Sequence, residues 1–271
     1  LEIQGGAARV ALRDSIARIT KIVYQAVPAV ERFVWVPGVI APFAGEGFAT
    51  PDMPSKMHGL ITAHDGRLVH KWPHYLDIYD RHFAPFLDME TVRILEIGVS
   101  HGGFLEILRK YFGDKAVLFG VDINPQCAVT DGNGISIRIG SQADPSFLNS
   151  VVDEMGGVDI VIDDGSHIAY HQKASLEILF PRLSIGGIYF AEDLHTAYWP
   201  GLFRGGFRRK GTFIEICKSL VDHVHRWYHP HKVRERWKDN IKAIHFYDSI
   251  VVIDKGIVAR PYHAKIGKPS F

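Results

Sequence analysis

Cysteine is nearly absent from this chain. Its two cysteines in 271 residues, Cys127 and Cys217, stand far apart and without metal-ligand spacing. That excludes a disulfide scaffold and fits a reducing, cytoplasmic setting. Long apolar runs are missing too: the longest candidate, Phe33 to Phe43, is broken by Pro37, Gly38 and Pro42. Crossing a bilayer takes roughly 20 apolar residues, so no membrane span is expected, and no signal-peptide pattern is read. Excess charge of one sign is lacking as well, since 31 Lys and Arg against 30 Asp and Glu leave a net charge of +1. With no global field, neither nucleic acid nor an anionic membrane is an expected partner. The chain opens on Leu1, and residues 1–6 are left out of the fold reading.

What is present is a folded-protein composition, 46% hydrophobic and 23% charged, enough for one large α/β domain with appendages. Leu12, Ile16, Ile19 and Val23 recur at helical spacing and predict an amphipathic N-terminal helix from Ala7 to Val27, ended by Pro28. Phe33 to Lys71 is dense in Pro and Gly, the composition of an arm or lid. Residues 1–71 are therefore read as an appendage whose apolar arm offers a surface for homo-oligomer formation, and 72–271 as the main domain. Within that domain Tyr75, Ile78, Tyr79, His82 and Phe83 predict a helix over Trp72 to Leu87.

Strict alternation comes next. Strands are predicted at Val92–Ile97, Val117–Val121, Ile135–Ile139, Val158–Ile162 and Gly187–Ala191, separated by helices at Phe104–Phe112, Asp144–Met155 and His171–Leu183. Such alternation implies parallel pairing and a doubly wound, Rossmann-like sheet. Two short strands, Ala243–Tyr247 and Ile250–Ile253, joined by Asp248 and Ser249, add an antiparallel hairpin and bring the expected total to seven. Between them and the fifth strand, Thr196 to Asn240 interleaves aromatic and basic residues and is read as an inserted lid.

Two stretches carry chemistry. The first is Glu96-Ile-Gly-Val-Ser-His-Gly-Gly103, where a strand turns into a helix. Glycines there let a ligand approach the backbone, and helix N-terminal N–H groups favour an anionic group. Ser100 at the position of the second glycine argues against a dinucleotide fingerprint. The second stretch runs from Val158 to Trp199, in which two strands each end in a double acid: Asp163-Asp164, followed by His167, and Glu192-Asp193, followed by His195. Parallel neighbours would bring these groups to one sheet edge, where open α/β sheets bind ligands. Adjacent carboxylates repel unless a cation offsets them, and an oxygen-rich set suits a hard ion such as Mg²⁺. Without an ion, Asp163 or Asp164 would cap the next turn, and Glu192 and Asp193 would pair with Arg or Lys.

An acid before Gly-x-(Gly/Ser)-x-Gly resembles motif one of the class I S-adenosylmethionine-dependent methyltransferases. The resemblance implies that Glu96, Gly98, Ser100 and Gly102 face the amino-acid part of the cofactor. It makes Asp122, at the end of the second strand, the acceptor for the ribose hydroxyls, and places Gln142 and Asp144 where the adenine is contacted. DDGSH, then HQ, SLE, LF, GG and EDLHT-x-Y-W, is similar to the metal-dependent macrolide sugar O-methyltransferases of mycinamicin and tylosin type, and to related cephalosporin-biosynthesis and rhamnosyl methyltransferase-like proteins. This similarity spans roughly Ile94 to Trp199. It implies Asp164, Glu192 and Asp193 as metal ligands and His167 as general base, with Asp163 orienting its neighbours or the cofactor. His171 and His195 take supporting roles, and Tyr198 and Trp199 are candidate sugar-facing aromatics.

The chemistry expected is methyl transfer from S-adenosylmethionine to a sugar hydroxyl of a glycoside, saccharide or glycosylated natural product. A hydroxyl is too weak an acid to ionise unaided, so a divalent ion and a base answer a real need. A catechol-type phenol O-methyltransferase shares the metal logic, and a non-catalytic module retaining the fold is the alternative of another class.

Overall fold

The computed structural model describes residues 55–229 and 240–271. The predicted Ala7–Val27 helix, the segment from Phe33 to residue 54, and Trp237 with its basic neighbours lie outside the described residues. Those described fall within one compact unit. In chain order its helices are α1 (Lys56–Thr62), α2 (Leu76–Phe83), α3 (Gly103–Phe112), α4 (Pro145–Met155), α5 (Ala169–Leu179), α6 (Phe213–Ser219) and α7 (Val221–Val224). Its strands are β1 (Val92–Ile97), β2 (Ala116–Asp122), β3 (Ile135–Ile139), β4 (Val158–Asp163), β5 (Leu183–Ala191), β6 (Ile241–Phe246) and β7 (Val251–Lys255).

The strands form one seven-stranded sheet in the order β3-β2-β1-β4-β5-β7-β6. The first five are parallel, and β7 and β6 close the edge antiparallel. Successive side chains of a strand point to opposite faces, and the core divides accordingly. Ile94 and Ile160 join Met57, Tyr79, Phe83 and Leu105 on one face, while Leu95 and Val161 join Val152, Leu176 and Phe213 on the other. Both faces are thus covered, as a parallel sheet requires. Both cysteines are buried and free. Among the described residues no helix is long and apolar enough to cross a membrane.

Three features depart from the sequence reading. The helix expected over Trp72–Leu87 is divided: Pro73 and Pro85 sit in 3-10 turns at Pro73–Tyr75 and Ala84–Phe86, leaving α2 between them. Proline lacks the N–H that a continuing α-helix needs, so each one confines the regular helix. Second, the boundary drawn between residues 71 and 72 cuts through packed structure. Residues 56–62 form α1, Ser55 accepts a hydrogen bond from the His58 N–H as its cap, and Met57 is fully buried in the core. Residues 66–68 then lie so close on the start of α3 that a Cβ on Gly103 would come within 2.3 Å of the Arg67 carbonyl. Third, β5 begins at Leu183 rather than Gly187, with a register irregularity against β4.

Candidate active site

The chain runs β1, β2, β3 outward in one direction and β4, β5 in the other, so the order reverses between β1 and β4. A doubly wound sheet opens a crevice at that switch point. Hydrogen bonding continues one residue past the strand ends and aligns the loops beyond them. The Asp164 N–H donates to the Ile97 carbonyl at 2.9 Å, Glu192 N–H to Asp163 at 3.0 Å, and Gly98 N–H to Val121 at 2.8 Å. The glycine loop, the first acid pair and the second acid pair therefore stand side by side above three neighbouring strands.

The loop turns on left-handed backbone at Gly98 (φ 93°), Ser100 (φ 50°) and Gly102 (φ 78°). Asp122 braces it: its Oδ2 accepts from the N–H groups of Val99 at 2.9 Å and Ser100 at 3.1 Å. Glu96 is 2% exposed, and its Oε2 is buried without a hydrogen-bond partner. Burial pushes the Glu96 carboxyl well up, partly offset by Lys71. Gln142 is buried, donating to Asp163 Oδ1 at 3.0 Å and accepting from the Ser166 N–H at 2.8 Å. Asp144 caps α4 through the N–H groups of Ser146 and Phe147, at 2.9 and 3.1 Å.

At the acid end the four carboxylates separate by environment. Asp163 is fully buried and saturated, its oxygens taken by Gln142, Ser175 and Tyr189. It fixes the strand end, with both oxygens already engaged by neighbours. Asp164 and Asp193 are half-buried, and each carries an oxygen near His167 Nε2, at 3.8 and 3.6 Å. One ligand atom from each of Asp164, His167 and Asp193 lies within 4.8 Å of the others. His167 and Asp193 both hold φ at 55°, and His167 Nδ1 is buried without a partner. Burial opposes the Asp193 charge, yet His167 and the Tyr75 hydroxyl, 2.7 Å from Oδ1, bring its carboxyl below the usual range.

Glu192 is placed otherwise. It is 1% exposed and held by the Tyr79 hydroxyl and by Lys71, whose Nζ lies 2.9 Å from both carboxylate oxygens and 2.6 Å from Asp164 Oδ2. Burial and the Asp164 charge push the Glu192 carboxyl up, with Lys71 and Tyr79 pulling it back. Burial works against the Lys71 charge too, but Asp164, Glu192 and Glu96 outweigh it and keep the ammonium protonated. Glu192 is thus paired with a basic residue, whereas Asp193 faces His167 and Tyr75.

Lys71, Tyr75 and Tyr79 were not singled out by the sequence as site residues. Lys71 sits at the end of a Pro- and Gly-rich stretch that carries no periodic signal. Tyr75 and Tyr79, four apart, read as one apolar face of a helix, and only their hydroxyls distinguish them from Phe. Beyond the acids an aromatic wall forms: the His195 ring packs against Trp72 and Trp199, with centroids 5.5 and 4.7 Å away, and Trp199 against Phe203 at 5.8 Å. Tyr198 is exposed, and His171 Nδ1 bonds the Ser166 hydroxyl at 2.8 Å.

The donor set fits a hard divalent cation: two half-buried carboxylates of adjacent strand ends, with Glu192 behind them and an ammonium already between. A glycine loop braced by the acid of β2, beside a carboxylate-rich crevice at the switch point, defines a methyltransferase-class α/β domain.

The comparisons give the particular lineage. The chain is 36% identical over 222 residues to the 8-demethyl-8-(2-methoxy-alpha-L-rhamnosyl)-tetracenomycin-C 3'-O-methyltransferase of Streptomyces olivaceus, covering 77% of this chain and 56% of that protein. It is 35% identical over 233 residues to the mycinamicin VI 2''-O-methyltransferase of Micromonospora griseorubida, covering 81% and 56%. The solved structure of MycE methyltransferase from the mycinamycin biosynthetic pathway, in complex with Mg, S-adenosylhomocysteine (SAH) and mycinamycin VI, superposes with a TM-score of 0.65 at 32% identity, over 78% of this chain and 55% of that one. No family model matches. The chain belongs to the S-adenosylmethionine-dependent methyltransferase family, related to the macrolide sugar O-methyltransferases, and it spans about half the length of the curated relatives it matches.

Proposed function

We propose that this domain transfers a methyl group from S-adenosylmethionine to a sugar hydroxyl of a glycosylated natural product, with a hard divalent cation and with His167 as general base. The observation that carries the proposal is the convergence of Asp164, His167 and Asp193 beside the glycine loop. Relatives at this level of identity are named for methylating rhamnosyl and macrolide sugars, and one binds Mg and SAH.

Each residue then has a task. Glu96, Gly98, Ser100 and Gly102 form the cradle for the amino-acid end of the cofactor, and the unpartnered Glu96 Oε2 is an acceptor for its amino group. Asp122 holds the loop in shape and faces the ribose, while Gln142 and Asp144 border the adenine side. Asp164, Asp193 and Glu192 would hold the cation, Glu192 after Lys71 yields one of its contacts. When bound, the cation lowers the acceptor hydroxyl's pKa and fixes its orientation.

His167 Nε2 takes the hydroxyl proton as the oxygen attacks the methyl carbon, and the sulfonium leaves as a neutral thioether. Asp164 and Asp193 flank that nitrogen and stabilise the imidazolium formed. The aromatic wall of Trp72, His195 and Trp199 suits the apolar face of a pyranose.

The test is a cofactor-dependent methylation screen over rhamnosylated and macrolide-type glycosides, read by mass spectrometry with and without EDTA. Methylation that disappears in chelator and returns with Mg²⁺ is expected. Undiminished turnover in EDTA removes the metal, and methylation confined to non-sugar acceptors removes the glycoside.

A further inference from the structure

A second convergence of ligating side chains lies at the antiparallel edge of the sheet, built by strand periodicity. His245 on β6 stands opposite Val252 on β7, so His245, its i+2 neighbour Tyr247, and Asp254, two residues beyond Val252, share one face of the hairpin. Val252 belongs to the core cluster containing Tyr79 and Phe83 of α2, which fixes that face as the one turned toward α2. His82, on the same helix, completes the group.

The contacts are close. His82 Nε2 is 2.9 Å from the Tyr247 hydroxyl, and His245 Nε2 is 3.0 Å from Asp254 Oδ2. The two imidazole rings stand edge to face with centroids 4.8 Å apart. One ligand atom from each of His82, His245 and Asp254 falls within 4.8 Å of the other two. The second Asp254 oxygen, Oδ1, is buried with no hydrogen-bond partner, so a carboxylate lone pair is left without a donor. A cation on the cluster would satisfy it.

We propose that His82, His245 and Asp254 form a binding site for a borderline-soft divalent transition metal of the Zn²⁺ class, with the Tyr247 hydroxyl or a water as fourth ligand. Two imidazoles and one carboxylate are a zinc-type donor set, whereas Mg²⁺ prefers oxygen and keeps its waters. The site therefore differs in selectivity from the acid-rich crevice. Burial of His82, which is 8% exposed and edge-on to Phe190, favours the neutral imidazole that ligates metal. His245 and Asp254, with side chains 36% and 27% exposed, leave a route for the ion.

A metal there would tie α2 to the edge hairpin. Tyr79, which holds Glu192, lies one turn from His82 on the same helix. The site would thus stiffen the support of the crevice from outside it.

The test uses the full chain, stripped of metal and held in excess Mg²⁺. Zn²⁺ binding by equilibrium dialysis should give one equivalent, lost at least tenfold in affinity in His245→Ala and in Asp254→Asn, and retained in the Asp164→Asn/Asp193→Asn double variant. Co²⁺ in the unmodified chain should give the intense visible absorption of a four-coordinate site, a reading that needs no variant to fold. Zinc lost in the double variant but kept in His245→Ala, or only the weak bands of six-coordinate Co²⁺, overturns the proposal and leaves the cluster a hydrogen-bonded clasp. Neither readout depends on methyl transfer.

Discussion

A Cβ atom on Gly98 would lie 2.0 Å from the carbonyl oxygen of Asp164. The glycine loop after β1 and the acid turn after β4 are therefore in backbone contact, and the two halves of the crevice share one wall. Gly98 also holds φ at 93°, which an L side chain rarely adopts. Gly98→Ala should cost about 1–3 kcal/mol in stability and displace Asp164 along with the loop. Calorimetry with S-adenosylhomocysteine should show weakened binding, and Mg²⁺ binding should weaken in parallel. Gly102→Ala, also at positive φ (78°), first meets the Thr130 side chain, at 3.0 Å, rather than backbone, and should be milder.

Lys71 is the countercharge for one buried carboxylate, Glu192, and one half-buried, Asp164. Lys71→Met leaves Glu192, 1% exposed, and Asp164 facing each other without it. Removing one partner of a buried ion pair costs about 3–5 kcal/mol. The variant should melt well below the parent in EDTA and recover much of the difference in millimolar Mg²⁺, which the parent should not need. Thermal unfolding in the two buffers measures both.

His167→Ala removes the proposed proton acceptor while leaving the loop and Asp122 in place. Turnover on a glycoside acceptor should fall about 10²–10⁴-fold, with S-adenosylhomocysteine affinity unchanged within a factor of two or so. Equal loss of both would place His167 in cofactor binding instead.

Away from the crevice, Asp159 on β4 is held by Arg93 through its backbone N–H at 2.9 Å and its guanidinium at 3.0 Å. Burial raises the Asp159 carboxyl, but the hydrogen bonds of Arg93 and Ser184 more than offset this and set it below the usual range. A depressed folded-state pKa means that the stabilisation is complete above the unfolded value of about 3.9 and disappears as pH falls through the lower folded value. Asp159→Asn should cost about 1.5–3 kcal/mol at pH 7. The gap between variant and parent should narrow below about pH 4, as melting curves across the acid range would show.

The sequence made the sheet legible because its signals are local. Five apolar strands alternate with helices, glycines stand at one strand end, and double acids stand at two others. The same logic brought Asp164, His167 and Asp193 together. It did not reach Lys71, whose partners lie 93 and 121 residues away, or the division between Glu192 and Asp193, adjacent in sequence yet facing different neighbours. Nor did it separate α1 from the Pro- and Gly-rich stretch before it, since a helix of 7 residues offers too few turns for periodicity to register. Asp144 illustrates a residue with a second claim on it: Pro145 after it marks a helix start, and the carboxylate is spent on the cap.

The Lys71 contact also orders events on the ribosome. Glu192 emerges 121 residues after its partner, on the order of 6–24 s later at synthesis rates of about 5–20 residues per second. Through that interval the lysine has no carboxylate of β5 to meet, and α2, whose Tyr79 binds the same acid, has no completed surface to settle on. A nascent chain that ends before β5 offers that amine Asp164 alone. The N-terminal face of this domain is thus finished from its C-terminal half, and stalled or truncated chains should expose residues 55–87 to proteases that the complete chain resists.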